Sequence, residues 1–423
     1  MPSPDRERLE ASTQRPVAPG ARHELIDAVR GFALFGVLLA NVVWTTQSFA
    51  SAWDYRADTG TDGLDAAIDF LLLMFVDFKF YTIFSVLFGL GFAMQMSRAE
   101  ARASFPMGTY SRRLAILLMF GAVHAVFLWF GDVLHVYALL GFVLILFRRR
   151  SDRFVLACAA AIACLAALTP TLEWLLGAGA DGAEKAAAAE EALNARRFAA
   201  MASGSYPEIV AMNWGVQAKD YAGMFAGSGM LYWYMSVLWK FLLGFVIGRR
   251  ALLQNAEANR RMFRWLLPRA FAVGLCGNAI MAVASSFFGV WLQGEASWAA
   301  LLWVPVEIGI LAMSTAYVCA LALLFLHPSW GRRVRALAPV GRMALTNYLS
   351  QSALIVAIFY GVGLGLIDRA GTGVCALIGV AIFGAQMALS AAWLKRFRFG
   401  PMEWLWRSLT YGRAQPMRVE RRV

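Results

Sequence analysis

RLAILLMFGAVHAVFLWFGDVLHVYALLGFVLILF, residues 113–147, is two apolar runs separated only by Gly131-Asp132. A membrane-spanning helix needs about 20 mostly apolar residues. The first run, 113–130, meets that length, while the second, 133–147, is short. With two residues between them, the runs form a tight helical hairpin. The flanks orient it. Arg112 and Arg113 precede the hairpin and RRRSDR (148–153) follows it. Short loops rich in Lys and Arg stay on the cytoplasmic side. Both feet are therefore cytoplasmic, and Asp132 is at the outer tip.

Reading outward from this hairpin finds eight more runs, 25–47, 66–97, 154–178, 225–248, 270–292, 298–326, 343–366 and 374–394. The run at 66–97 is long and is interrupted by Asp77 and Lys79, which predicts a kink or a break there. The loops alternate in charge. Segments 1–24, 98–113, 148–153, 249–269, 332–342 and 395–423 hold 30 of the 39 Lys and Arg, and the opposite loops hold six. One missed span would invert the alternation downstream. The expected fold is therefore an all-α, polytopic transmembrane bundle of about ten spans with both termini cytoplasmic. Residues 1–23 read as a disordered cytoplasmic arm, 24–397 as the transmembrane domain, and 398–423 as a cytoplasmic amphipathic segment and tail. Within the domain, 179–224 is the one sizeable outer segment. Its Ala-rich start, AEKAAAAEEALNARRFAAM, predicts an amphipathic helix over the outer mouth.

Composition agrees. Hydrophobic residues make up 60% and charged residues 16%, against about a quarter charged in soluble domains. The net charge of +12 lies in short runs between apolar blocks, which argues for topology and against a nucleic-acid partner. The five cysteines lie inside apolar blocks without CxxC or Cys/His spacing. Small buried hydrophobes are the expectation, and no metal site is indicated. No secretory signal peptide precedes the first span.

Ionisable groups inside a bilayer cost about 2.5–3.5 kcal/mol each on insertion scales and therefore need a reason. Two sets stand out. Toward the outer side are Asn41 and Trp44 on the first span, Asp77, Lys79 and Tyr81 on the second, His124 on the third, Asp132 in the hairpin turn and His135 at the start of the return helix. The hairpin brings two imidazoles and a carboxylate together. Imidazole exchanges a proton near neutral pH, and a carboxylate fixes its tautomer. Simpler readings stand beside this one: a helix cap for Asp132, satisfied core or interface positions for the histidines, an ion pair for Asp77 and Lys79, and interhelical bonding for Asn41.

At the cytoplasmic side are Asp27 and Arg30, three apart on one face, and Arg342, Thr346, Asn347 and Gln351, which share a face on a continuous helix. Convergent arginines suit phosphate, and ordinary headgroup anchoring is the alternative, preferred for Arg112 and Arg113. In GPMEWLWRSLTYG (400–412), Glu403 and Arg407 are spaced to pair, and Trp404 and Trp406 read as interfacial anchors.

Four stretches together resemble one family: IDAVRGFALFGVLLAN (26–41), KFYTIFSVLFGLGF (79–92), GAVHAVFLWFGDVLHVYALLG (121–141), and the pair GRMALTNYLSQS (341–352) with GPMEWLWRSLTYG (400–412). They are similar to the YeiB-like bacterial membrane proteins, the family of domain of unknown function 418, over residues 24–412. This implies a multi-pass protein of the bacterial cytoplasmic (inner) membrane. The D-x-x-R-G opening, here Asp27, Arg30 and Gly31, is also shared with integral-membrane acyltransferases of the acyltransferase-3 and heparan-α-glucosaminide N-acetyltransferase types. That second resemblance implies transfer of an acyl group from cytoplasmic acyl-CoA to a glycan or small-molecule acceptor at the outer face. Many acyltransferase-3 members carry a His where this chain has Asn41, and the 48–65 loop has no His, so His124 or His135 must substitute. The implied catalytic set is His124, Asp132, His135, Asn41 and Lys79. The implied acyl-CoA set is Asp27, Arg30, Arg342, Asn347, Gln351, Glu403 and Arg407. No tightly bound cofactor is expected, and membrane lipids are the surrounding partners. A transporter or flippase of a small molecule or lipid-linked intermediate is the alternative, and a non-catalytic scaffold or sensor the third.

Overall fold

The computed structural model describes residues 23–46, 63–100, 107–175, 180–222, 224, 230–288, 301–367 and 369–419. Residues 1–22 of the expected arm and the 48–62 part of the first outer loop lie outside the described residues. The chain begins with α1 (Glu24–Thr46), α2 (Gly63–Phe75) and α3 (Lys79–Glu100). The hairpin of α4 (Met107–Phe127) and α5 (Leu134–Ile145) leads to α6 (Asp152–Leu175). The outer segment is α7 (Ala180–Ser203) and α8 (Tyr206–Ala222). Then come α9 (Met230–Arg249), α10 (Arg260–Phe288) and α11 (Trp303–Phe325). The chain closes with α12 (Gly331–Arg335), α13 (Ala338–Arg342), α14 (Ala344–Phe359), α15 (Thr372–Leu394) and α16 (Pro401–Tyr411).

Among the described residues, 8 helical stretches are long and apolar enough to span a membrane. Two shorter apolar helices, Leu134–Ile145 and Ala344–Phe359, supply the remaining runs of the expected ten. The chain is an all-α polytopic bundle, as its hydropathy pattern requires.

The interrupted second run is two helices. Residues 76–78 form a turn between α2 and α3, with Phe78 at φ 65°, a left-handed conformation uncommon for a large side chain. Lys79 turns its ammonium back onto the Leu73 carbonyl. The Ser314 hydroxyl donates to the Lys79 carbonyl at 2.9 Å and the Tyr317 hydroxyl to the Phe75 carbonyl at 2.8 Å, both from α11. A break at membrane depth persists only where neighbouring side chains satisfy the freed backbone groups, and α11 does so here.

Next to the cytoplasmic end of α1, α13 packs unusually close. A Cβ on Gly31 would collide with the Leu337 carbonyl, and one on Gly341 with the Asp27 carbonyl. Small residues permit such approach between membrane helices. The glycine of the D-x-x-R-G stretch thus sets how closely the turn carrying Asp27 and Arg30 approaches α13, which carries Arg342.

The outer segment roofs the hairpin. The Asn213 amide donates to the Val126 carbonyl at 3.0 Å, the Tyr206 hydroxyl to Phe127 at 2.7 Å and the Gln217 amide to Phe130 at 2.6 Å. Helix α8 therefore satisfies carbonyls left free where α4 ends.

Candidate functional site

The hairpin tip builds a compact cluster. Nδ1 of His124 stands 2.8 Å from Oδ1 of Asp132, and Nδ1 of His135 stands 2.7 Å from Oδ2. Oδ2 also accepts the His135 backbone N–H at 2.8 Å, so Asp132 anchors the first turn of α5 while bridging both imidazoles. All three are buried, with His124 1%, Asp132 5% and His135 6% exposed. Gly121 makes this possible, because a Cβ there would collide with the His135 backbone nitrogen and lie 2.8 Å from Asp132 Oδ2. The Nε2 atoms of both imidazoles are buried without a hydrogen-bond partner among the described residues. His135 Nδ1 is hydrogen-bonded to Oδ2, which leaves Nε2 as its unpartnered ring nitrogen, whereas His124 Nδ1 lies within ion-pair distance of Oδ1.

A cavity of about 480 Å³ lies beneath this cluster. At its mouth, on the side that loop charge assigns to the cytoplasm, are Asp27, Arg30, Arg98, Arg113, Arg342 and Arg407. Its lining follows α3 from Arg98 to Tyr81, about 25 Å at 1.5 Å per residue. The middle is apolar, with Phe84, Leu87, Leu114 and Leu117, and the deep end is closed by Tyr81, Val133, Tyr137 and Tyr348. The cluster lies just behind that end, with the rings of His124 and Tyr348 5.2 Å apart between centroids.

The mouth is organised by α16. One Glu403 oxygen accepts the backbone N–H groups of Leu345 at 2.6 Å and Thr346 at 3.1 Å, and the other accepts the Thr346 hydroxyl at 2.6 Å. A carboxylate from a distant helix thus caps α14, whose own preceding residue, Met343, provides no side-chain cap. Burial raises the Glu403 carboxyl above its usual value. Burial, then the Arg113 charge, lowers Arg407 to about 10. Burial and the Arg98 charge lower His23 at the same mouth. Arg30 pairs with Asp27 at 2.7 Å, as their spacing predicts.

Several sequence expectations are redrawn. Arg342 and Gln351 do not share a helical face, because the chain bends at Met343 (φ −110°, ψ 34°) between α13 and α14. Arg342 lines the cavity. Asn347 instead donates to the Val340 carbonyl at 3.2 Å and to Ser390 at 3.0 Å, and Gln351 donates to Gln386 at 2.8 Å. These two amides bind α14 to its neighbours and stand outside the cavity lining. Glu403 directs its oxygens to α14 rather than to Arg407, which stacks on Phe399 at 4.7 Å. Trp406 is not a free lipid anchor: its indole donates to the Arg113 carbonyl at 2.9 Å, and the Arg113 guanidinium lies 4.0 Å over its ring. Trp404 donates to the Gln415 carbonyl at 2.7 Å. Lys79 is held in the α2–α3 break, apart from the imidazoles. Asn41 accepts the Tyr81 hydroxyl.

Tyr137, Tyr348 and Arg98 line the cavity without standing out in the sequence, and Arg113 lines it too rather than serving only headgroups. The available signal was a tyrosine or arginine inside an apolar run, which is weaker than a histidine or carboxylate. A second buried pair does not stand out in the sequence either: Lys240 lies 3.1 Å from Glu307 and donates to Ser236 at 2.7 Å, with Tyr232 donating to Glu307 at 3.2 Å.

Comparison with known proteins places these features in a family. The family described as "Protein of unknown function (DUF418)" matches residues 247–413. The uncharacterized protein YxaH of Bacillus subtilis is 30% identical, covering 97% of this chain and 100% of the relative. The uncharacterized protein YeiB of Escherichia coli is 29% identical over 93% of this chain and 98% of the relative. No solved structure matches significantly. A relative aligned from end to end, a second of nearly full coverage and the C-terminal family match together make this chain a member of the DUF418, or YeiB-like, family.

Proposed function

We propose that this protein is a membrane acyltransferase of a bacterial cytoplasmic membrane, moving an acyl group from cytoplasmic acyl-CoA to an acceptor at the outer face. One observation supports the reading: a cavity runs from an arginine-ringed mouth to a tyrosine wall, and the His–Asp–His cluster lies directly behind that wall. Guanidinium groups suit the phosphates of coenzyme A. The apolar middle suits its pantetheine arm. Arg30, Arg342 and Arg407 bind in this reading, whereas Glu403, Asn347 and Gln351 hold α14 so that Arg342 and Tyr348 stay in place.

In the transfer step, Nε2 of His124 takes the proton of an acceptor hydroxyl or amine, and the freed lone pair attacks the thioester carbonyl. The tetrahedral intermediate then expels the coenzyme A thiolate, which receives the proton back from the imidazolium. Asp132 holds the tautomer and offsets the imidazolium charge, as a triad carboxylate does.

The test uses purified protein in lipid nanodiscs. Acetyl-CoA binding by calorimetry and slow thiol release are expected, with release lost in His124→Ala. Absence of binding to any acyl-CoA would overturn the reading. A second reading, transport of a small molecule or lipid-linked intermediate, draws on the broken α2–α3 helix and the buried Lys240–Glu307 pair, since discontinuous helices and intramembrane charges serve transporters. Uptake into proteoliposomes without a covalent product would favour it.

A further inference from the structure

The deep end of the cavity is a wall in which three tyrosines, Tyr81, Tyr137 and Tyr348, converge from three helices. Two of them are fixed by side chains behind them. The Tyr81 hydroxyl donates to Asn41 on α1, and the Tyr137 hydroxyl lies 2.8 Å from the Ser85 hydroxyl on α3. Tyr348 has no side-chain hydrogen-bond partner among the described residues. Its ring instead lies against His124, with centroids 5.2 Å apart and planes at 43°. Tyr348 is also within electrostatic reach of Asp132, Tyr81 and Tyr137. It therefore borders the cavity on one side and touches an imidazole of the cluster on the other.

We propose that Tyr348 is the residue that decides which acyl groups reach His124. The proposal rests on the acyl-transfer reading and names its substrate class as short acyl chains. With the phosphates at the arginine mouth and the pantetheine arm along α3, the thioester arrives at the tyrosine wall. There the acyl group faces the ring of Tyr348, so an acetyl-sized group is the expected fit and a medium-length chain is expected to meet aromatic carbon. A packed wall tolerates added methylenes poorly, because inserted atoms force side chains off their rotamers. The specificity comes from the ring's volume rather than its hydroxyl.

The experiment measures binding of coenzyme A, acetyl-CoA and octanoyl-CoA to the full-length protein in nanodiscs, for wild type, Tyr348→Phe, Tyr348→Ala and Tyr348→Leu. Wild type and Tyr348→Phe are expected to bind octanoyl-CoA about tenfold more weakly than acetyl-CoA, and the two smaller variants to lose or reverse that ratio. Coenzyme A serves as the internal control, since the mouth is untouched by all three substitutions. Should Tyr348→Ala fail to fold, Tyr348→Leu decides by the same ratio. Equal binding of both acyl-CoAs by wild type, or an unchanged ratio in the smaller variants, would overturn the proposal while leaving acyl transfer intact. Failure of coenzyme A and every acyl-CoA to bind wild type would instead remove the acyl-transfer reading, and this inference with it.

Discussion

Asp132 is one carboxylate serving two imidazoles, so a single substitution there disturbs both. Replacement by Asn keeps the size but places an amide N–H₂ opposite one Nδ1, so one imidazole must change tautomer or turn away. Under the acyl-transfer reading, Asp132→Asn is expected to slow acyl-CoA thiol release by about 10²–10⁴-fold, the usual range for a positioned acid–base group, with coenzyme A binding retained. Unchanged thiol release would separate the cluster from the chemistry. Gly121 is sensitive for a steric reason. Gly121→Val pushes methyl groups into the His135 backbone and the Asp132 carboxylate, and a loss of about 1–3 kcal/mol is expected as for other overpacked sites, read as a lower melting temperature in detergent. The proximity of His124, Asp132 and His135 was legible in the sequence, because a two-residue turn leaves a helical hairpin little freedom. The partner of Lys79 was not legible, because an interrupted apolar run does not reveal which carbonyl its ammonium reaches.

At the scale of elements, the joint between α14 and α16 is a cap supplied from a distance. Glu403 holds two backbone N–H groups and one hydroxyl of α14. Glu403→Ala is expected to cost about 1–3 kcal/mol, the penalty for leaving buried donors unpaired, seen as a lower melting temperature at every pH. The charge adds a pH dependence of definite sign. Burial raises this carboxyl in the folded chain, so between the ordinary glutamate value and the raised one the folded chain binds more protons than the unfolded chain. Its contribution is complete below the ordinary value and declines as pH climbs through the raised one. Glu403→Gln should flatten that part of the melting-temperature profile, and an unaltered profile would exclude Glu403 as its source. The sequence reading paired Glu403 with Arg407 because four residues separate them on one helix. It could not see α14 from there, since a partner 57 or 58 residues away is invisible to local spacing. The bend at Met343 was missed for a related reason: a polar stripe looks continuous whenever the helix is assumed to be continuous.

For the whole molecule, lipid makes the span pattern legible where it leaves the partners of polar groups illegible. Every lipid-exposed backbone group must be satisfied within its own helix, so apolar length and loop charge alone yield the ten runs, whereas the helix that answers Asn347 or Lys240 depends on packing. The side on which each loop lies then fixes what can enter the cavity, because its mouth is ringed by the arginines of cytoplasmic segments. Orientation is therefore a functional prediction as well as a topological one. A green fluorescent protein joined after the C-terminal residue is expected to fluoresce in a bacterial host, and alkaline phosphatase inserted at Gly204, between α7 and α8, is expected to be active. The same phosphatase inserted at Asn255, between α9 and α10, is expected to be silent. Activity at Asn255 with silence at Gly204 would invert the bundle, turn the arginine mouth away from every source of acyl-CoA, and leave the two-ended cavity without a cytoplasmic donor.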